Sequence, residues 1–249
     1  MVAFEPHPEN YGVTVQALLG ALPQTDLHCI QIYAAALGAE SGQGLLFGDG
    51  AAASFFRQNA DIYAARSTQG QAHARRHGGM LEYEGDLDLP PHVDVPMQTL
   101  DGFCAERQIE EVSLLKLDVE GAEPTVLVGA RELLRARRIH VALLEYSYLW
   151  NVAFMKMMID GGTTPAPQHM LGWPTLEALV REVDAYGYNT YFDRGDAFLL
   201  LTGEKWHDVY EVCRDPMGAH YRMPYEGWCI FAVAIVRRGP FADSLPLVE

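Results

Sequence analysis

Four acidic residues stand where their side chains could take part in chemistry. Glu5, Asp118 and Glu145 each come directly after a short apolar run, and Glu120 follows Asp118 by two residues. Carboxylates so placed can accept hydrogen bonds from hydroxyl groups, attract a cation or take a proton from a nucleophile. An acid at the end of a strand can also cap the helix that follows, and for any one of these residues that structural interpretation is equally good.

The elements around Asp118 and Glu145 predict a strand, a helix and a second strand. Residues 112–119 form a nearly continuous apolar run, typical of a strand buried on both faces, and residues 139–144 form another that ends at Glu145. Residues 122–137 carry apolar side chains at helical spacing. Because the carboxyl ends of parallel strands meet at one edge of a sheet, we expect Asp118, Glu145 and Glu5 to lie along one rim.

The remaining pattern extends this alternation in both directions. At the start we predict a strand at 2–4, a helix at 8–19, a strand at 29–37 and a glycine-rich hairpin within 38–50. Further along, the pattern predicts helices at 99–107, 175–186 and 206–213 and strands at 188–192, 198–202 and 229–237. We interpret 51–91 and 146–172 as insertions in a single domain spanning 1–249, with an irregular tail at 240–249.

Length and charge exclude several classes of function. The chain has 249 residues and a formal net charge of −15, so we expect it to repel nucleic-acid backbones. No apolar run approaches the roughly 20 residues of a membrane helix, and the first residues do not form a signal peptide, so a cytoplasmic location without membrane association is expected. The sequence makes no prediction about oligomeric state.

Several motifs occur together and in order. They are Thr99-Leu100-Asp101, then Lys116-Leu117-Asp118-Val119-Glu120-Gly121-Ala122-Glu123, then Leu127-Val128-Gly129-Ala130, then Leu144-Glu145. The opening Phe4-Glu5-Pro6-His7-Pro8-Glu9-Asn10 precedes them. This series resembles the FkbM family of methyltransferases, whose pattern is TLD, KxDxEGxE, LxGA and an acid after the next strand, with an FEPxPxN turn after an earlier strand.

The resemblance implies a fold and a reaction. The fold is the class I methyltransferase fold, an α/β, Rossmann-like arrangement with a mostly parallel sheet and helices on both faces. The cofactor is S-adenosylmethionine, and the methyl group goes to a hydroxyl oxygen of a small molecule, often a sugar or a polyketide. The expected partner is therefore a small-molecule hydroxyl acceptor.

The resemblance also assigns roles to residues. Glu5, with Pro6 beside it, would accept hydrogen bonds from the cofactor's ribose hydroxyls, and Ala36 and Leu37 would lie against the adenine in the turn after the third strand. Asp118 would face the sulfonium and the methyl group, and Glu120 and Glu145 would line the acceptor side as further catalytic residues. Lys116 alternates with Asp118 along its strand, so both point to the same face, where the lysine could pair with an acid and keep it ionised.

One part of the family pattern is missing. Methyltransferases of this class carry a first strand and a glycine-rich turn, close to DxGAxxG in the family, before the FEP element, and this chain begins after that point. Gly42, Gly44 and Gly48 do not supply the turn, because position 47 is Phe. We therefore expect a chain that lacks the first strand and is N-terminally incomplete.

Other interpretations stay open. A non-catalytic methyltransferase-like binding domain would account for the missing turn, whereas a nicotinamide dehydrogenase would not account for KxDxEGxE. Asp118, Glu120 and Glu145 are suitable magnesium ligands, but we expect them to act without a metal. We expect no zinc site at His73 and His77, where position 74 is Ala. Tyr146 and Trp150 either stack on an acceptor ring or pack in the core.

Overall fold

The computed structural model describes residues 1–47, 75–77, 80–82, 92–147, 150, 175–210 and 230–248. The chain divides into two units, Met1–Leu100 and Asp101–Glu249, and each is described by itself. The interpretation of 1–249 as one domain stays a prediction. Most of the two interpreted insertions, at 51–91 and 146–172, lies outside the described residues.

The first unit opens with a parallel pair of short strands. β1 (Val2–Phe4) pairs with β2 (Gln31–Tyr33), and between them come α1 (Pro8–Ala21) and α2 (Gln24–Leu27). Pro8 suits the first helical position, because the amide hydrogen that proline lacks would have no partner there. The predicted strand at 2–4 and the predicted helix at 8–19 are confirmed.

Two small antiparallel and mixed sheets complete this unit. The remaining strands in chain order are β3 (Ala36–Leu37), β4 (Gly42–Phe47), β5 (Arg75–His77), β6 (Met80–Glu82) and β7 (His92–Gln98). β5 and β6 form an antiparallel pair. β7 lies between β3, to which it is parallel, and β4, to which it is antiparallel.

This pairing corrects two of the sequence predictions. The predicted strand at 29–37 is two strands, β2 and β3, separated by a bend at Ala34 and Ala35. The predicted hairpin within 38–50 is wrong for β4, whose partner is β7, more than forty residues later. Periodicity identifies a strand but not its partner, so this pairing could not be read from the local pattern.

The second unit is built around one five-stranded sheet. Its elements in chain order are α3 (Leu100–Glu106, which starts at the boundary of the unit), β8 (Val112–Leu117), α4 (Glu123–Val128), α5 (Arg131–Arg135), β9 (Ile139–Ser147), α6 (Leu176–Ala185), β10 (Tyr188–Asp193), β11 (Phe198–Leu200), β12 (Ile230–Arg237) and α7 (Pro240–Asp243). Short 3₁₀ turns occupy Gly203–Lys205 and Asp208–Tyr210.

The strand directions correct the predicted mostly parallel sheet. Among the described strands the order is β11-β10-β12-β9-β8, and within it only β8 and β9 are a parallel pair. β12 is antiparallel to both of its neighbours, and β11 is antiparallel to β10. The sheets are therefore mixed. The α/β class is as expected, and the predicted parallel relationship holds for the strands that carry Asp118 and Glu145.

β8 lies at the edge of this sheet as far as the described strands extend, and only one of its two faces is buried. Leu115 and Leu117 are buried, but Leu114 is 57% exposed, so the strand is not buried on both faces. The apolar run predicted burial on both faces, whereas Leu115 and Leu117 lie on a buried face and Leu114 and Lys116 on an exposed one.

The core of the second unit lies between the sheet and its helices. Its fully buried side chains include Leu127, Leu134, Ile139, Leu179 and Ile235. The helix predicted at 122–137 is broken into α4 and α5 at positions 129 and 130. The tail, predicted to be irregular, begins with α7, and Leu247 forms a bridge with Phe198. Across the described ranges, no helix has the length and apolar character that crossing a membrane requires.

Candidate functional site

The turn after β8 carries two of the predicted catalytic acids. β8 ends at Leu117, and the chain then passes through Asp118 and Val119 to Glu120, which has a positive φ of 54°, and Gly121, with a φ of 92°. The left-handed region is costly for a glutamate, and such backbone is found where surrounding structure holds it in place. Two consecutive left-handed residues turn the chain sharply into α4.

Strand register brings Asp118 towards Glu145. Leu117 on β8 is the partner of Leu144 on the parallel strand β9, so the next residue of each strand is Asp118 and Glu145 respectively. Neighbouring strands lie about 4.8 Å apart, so these residues are close. The prediction that the strand ends at Glu145 is wrong. β9 continues to Ser147, and Glu145 is paired with Ala232 within the sheet.

The surroundings of Glu145 raise the pKa of its carboxyl. Partial burial raises the pKa of its carboxyl, the negative charges of Asp118 and Glu120 raise it further, and the positive charge of Lys116 opposes them. The charges of Asp118 and Glu120 therefore act on Glu145, and the three predicted catalytic acids are electrostatically coupled. A carboxylate whose pKa is raised is a stronger base than an ordinary exposed one.

Lys116 pairs with an acid, as the alternation along β8 predicted. Its Nζ lies 2.7 Å from Oδ2 of Asp118, and both side chains are more than half exposed. An exposed ion pair of this kind adds at most about 1 kcal/mol to stability. Its effect on the site is to place one positive charge among three negative ones.

Sequence reasoning assigned no role to Glu123, which is the most deeply buried acid of the site. Its side chain is 1% exposed, Oε1 accepts a hydrogen bond from the Val119 amide at 2.9 Å, and Oε2 accepts one from Nε1 of Trp150 at 3.1 Å. Burial raises the pKa of this carboxyl to about 7, against the lowering effect of these donors. The sequence does show an acid at the first position of a helix, where it is favoured by the helix dipole. The hydrogen bond with Trp150 joins residues 27 positions apart, so no local sequence pattern predicts it.

Tyr146 and Trp150 support the packing interpretation among the described residues. Their rings meet edge to face at 5.2 Å between centroids, and the residues are 3% and 4% exposed. Tyr146 also stacks on Phe192 of β10. Burial and this mutual contact favour packing over stacking on an acceptor ring.

The residues predicted to hold the cofactor's nucleoside lie in the first unit. Glu5 follows β1 directly; Oε1 of its carboxylate accepts a hydrogen bond from the His7 amide at 2.8 Å across Pro6, and its own amide donates to the carbonyl of Tyr33 at 3.0 Å. The carboxylate is thus held at the end of the parallel β1–β2 pair, where the resemblance places a ribose-binding acid.

Ala36 and Leu37 lie beyond the turn in which they were expected. Both belong to β3, and the residues of the bend after β2 are Ala34 and Ala35. Ala36 is buried against Leu46 and Val95, while Leu37 is partly buried. The structure does not test their predicted contact with adenine, which stays a prediction, as do the roles of Glu5 and Pro6.

The described residues contain no group of three His, Cys, Asp or Glu side chains arranged to hold a metal ion. The pair His73 and His77 lies outside what the structure describes, because position 73 is not covered and only the backbone of His77 is. Metal-independent action of the acids at 118, 120 and 145 therefore stays a prediction.

Comparison with protein families gave one result. The family model described as the methyltransferase FkbM domain matches residues 1–188, three quarters of the chain. Comparison with curated proteins gave no match, and neither did comparison with solved structures.

Proposed function

The chain belongs to the FkbM methyltransferase family, and on that premise we propose that it transfers a methyl group from S-adenosylmethionine to a hydroxyl oxygen of a sugar or another small metabolite. The observation that carries this proposal is the meeting of Asp118, Glu120 and Glu145 beside the parallel strand pair, with the pKa of Glu145 raised by burial and by the two neighbouring acids. A hydroxyl group needs a base to become a good nucleophile, and Glu145 is the acid whose surroundings favour that role.

The acids fit the cofactor's chemistry. Glu5 would accept hydrogen bonds from the ribose hydroxyls through the carboxylate oxygen that the His7 amide does not engage. Pro6 fixes the turn there, and Ala36 and Leu37 would provide apolar surface near the adenine. Asp118 is exposed and anionic, which suits a cationic sulfonium. When bound, the cofactor supplies an electrophilic methyl group on that sulfonium.

The proposed reaction is a nucleophilic displacement at the methyl carbon. With the cofactor bound, the methyl group would pass from its sulfur to the acceptor oxygen, and Glu145 would take the proton that the hydroxyl group loses. Asp118 and Glu120 keep the surroundings anionic, which raises the basicity of Glu145 and favours the positive charge of the sulfonium. An anionic acceptor would be repelled by the same three charges, so a neutral hydroxyl compound is the expected substrate.

The first test is calorimetric titration of S-adenosylhomocysteine into the 249-residue chain and into a form extended upstream in its reading frame. We expect binding by the extended form at least. Binding by the extended form alone supports the methyltransferase and places the glycine-rich element upstream. If both forms are folded and neither binds, the proposal fails in favour of a non-catalytic methyltransferase-like binding domain.

A further inference from the structure

Glu123 joins two segments of the site through a single carboxylate. Oε1 accepts from the Val119 amide at 2.9 Å, and Oε2 accepts from the Trp150 indole at 3.1 Å. The side chain is almost completely buried, so water does not compete for either oxygen. A buried carboxylate with both oxygens hydrogen-bonded fixes the positions of its donors more firmly than a surface one does.

The two donors, the Val119 amide and the Trp150 indole, belong to the segments that carry the proposed catalytic acids. Val119 lies between Asp118 and Glu120, in the turn whose next two residues have positive φ. Trp150 comes five residues after Glu145 and packs against Tyr146. Gly121 adopts a positive φ without steric cost, but Glu120 does not, so contacts of the surrounding residues help to hold the turn.

We propose that Glu123 is a positioning residue for the transfer: its carboxylate holds the turn of Asp118 and Glu120 to the segment that follows Glu145, and so sets the spacing of the three acids. The inference rests on the proposed function. Glu123 would not contact either substrate, because its side chain is almost completely buried. Its effect reaches the reaction through the amide of Val119 and the indole of Trp150.

The charges around Glu123 are consistent with this role. From β9, Glu145 faces it and raises its pKa, and burial contributes most of that increase. Asp118, Glu120 and Lys116 belong to the same cluster of charges through Glu145. Protonation of Glu123 would turn one of its two acceptor oxygens into a hydroxyl, which is a weaker acceptor, so both hydrogen bonds are at full strength only with the carboxylate.

Nuclear magnetic resonance can follow both contacts without an acceptor. In the ¹⁵N-labelled chain, or in the extended form if only that binds cofactor product, we expect the Val119 amide and the Trp150 indole to titrate together with a midpoint near pH 7. Glu123→Gln should abolish this common titration, and Glu204→Gln, at an exposed acid, should leave it intact. Independent titration of the two signals would overturn the inference.

A second variant separates positioning from mere packing. Trp150→Phe keeps an aromatic ring against Tyr146 but removes the indole donor, so we expect it to shift the Val119 amide signal although the two residues are 31 positions apart. An unchanged Val119 signal in a folded variant would show that the carboxylate does not connect the segments. Glu123→Asp, which is too short to span both donors, should behave like Trp150→Phe.

The link to function is tested by adding S-adenosylhomocysteine. We expect it to shift the Val119 and Trp150 signals together in the wild type and to shift only one of them in Glu123→Gln. Bound S-adenosylhomocysteine that moves neither signal would overturn the positioning role and leave the proposed function standing. Coupled titration in a folded extended form that does not bind S-adenosylhomocysteine would instead remove the proposed function, and the positioning role with it.

Discussion

Oδ1 of Asp101 accepts a hydrogen bond from the backbone amide of Leu133 at 2.9 Å, although the two residues are 32 positions apart. Oδ2 of the same carboxylate accepts one from the amide of Glu132 at 3.0 Å. These amides are the second and third of α5, whose own N-cap residue, Ala130, has no side chain that could accept them. Asp101 therefore caps α5 from another part of the chain, and its own amide donates to Gly129 at 2.8 Å.

This relationship predicts the effect of Asp101→Ala. Loss of a helix-capping carboxylate costs about 1–2 kcal/mol, so we expect the free energy of unfolding to fall by about that amount in denaturant titration. Asp196→Ala, at an exposed position between β10 and β11, is the matched control and should change it by less than about 0.5 kcal/mol. Equal stability of the two variants would mean that the cap contributes nothing.

The buried carboxyl of Glu123 predicts a loss of stability as the pH rises. Between its ordinary pKa of 4.5 and its folded value of about 7, the folded chain holds a proton that the unfolded chain has released. Stability therefore falls as the pH increases through this window, by about 3 kcal/mol in total for this group. Thermal unfolding across pH 4 to 8 measures the effect.

Glu123→Gln cannot titrate, so its stability should vary less across the same pH window than that of the wild type. Glu145, whose pKa is also raised, contributes in the same direction and remains in the variant. Glu204→Gln should retain the wild-type dependence. The prediction would be contradicted by parallel stability curves for wild type and Glu123→Gln.

Replacement of Lys116 should raise the pKa of Glu145 further. The ammonium of Lys116 opposes the effect of burial and of the two acids on that carboxyl, and Lys116→Met removes it. Carbon-13 titration of the Glu145 carboxyl should show a midpoint at higher pH than in the wild type, without loss of stability, since Lys116 is mostly exposed. Lys205→Met, an exposed lysine in a 3₁₀ turn, is the control. An unmoved midpoint would mean that Lys116 is too well screened to act on Glu145.

Asp118→Ala should reduce turnover without affecting folding. The side chain is more than half exposed and forms a surface ion pair with Lys116, so the free energy of unfolding should stay within about 0.5 kcal/mol of the wild type. Asp118 helps to raise the pKa of Glu145, so its loss weakens a general base of the kind that contributes about 10²-fold or more in rate. Transfer of labelled methyl groups to free hexoses and methyl glycosides measures it. Wild-type turnover would end the assignment of Asp118.

Glu5→Ala should weaken binding of S-adenosylhomocysteine. Hydrogen bonds to a charged group contribute about 1.5–3 kcal/mol, which corresponds to roughly a 10- to 100-fold higher dissociation constant. Glu5→Gln retains an acceptor for the His7 amide and so keeps the turn, which separates loss of the charge from loss of the turn. A dissociation constant that neither variant changes would remove the ribose role.

Much of the secondary structure follows from local pattern. The strand at 2–4, α1, α3, α6, β8 and the strands at 188–193 and 230–237 were all predicted within a few residues, because alternation, helical spacing and proline positions act over short distances. The pattern did not predict how the strands are arranged: it missed the pairing of β4 with β7, the antiparallel pairing of β12 with β9, and the position of β8 at the edge of the described sheet. A strand's partner and its place in the sheet depend on the rest of the chain.

The sequence by itself determined the family, the α/β class and the acids at 118, 120 and 145, because the motif spacing and the parallel pair of strands that carries it are local in the chain. The tertiary structure decided what those acids experience. Burial and neighbouring charges raise the pKa of Glu145, Glu123 accepts hydrogen bonds from donors on two segments, and Asp101 caps a helix 30 residues away. Hydrogen bonds and desolvation depend on distance in space, which residue types and spacing do not specify.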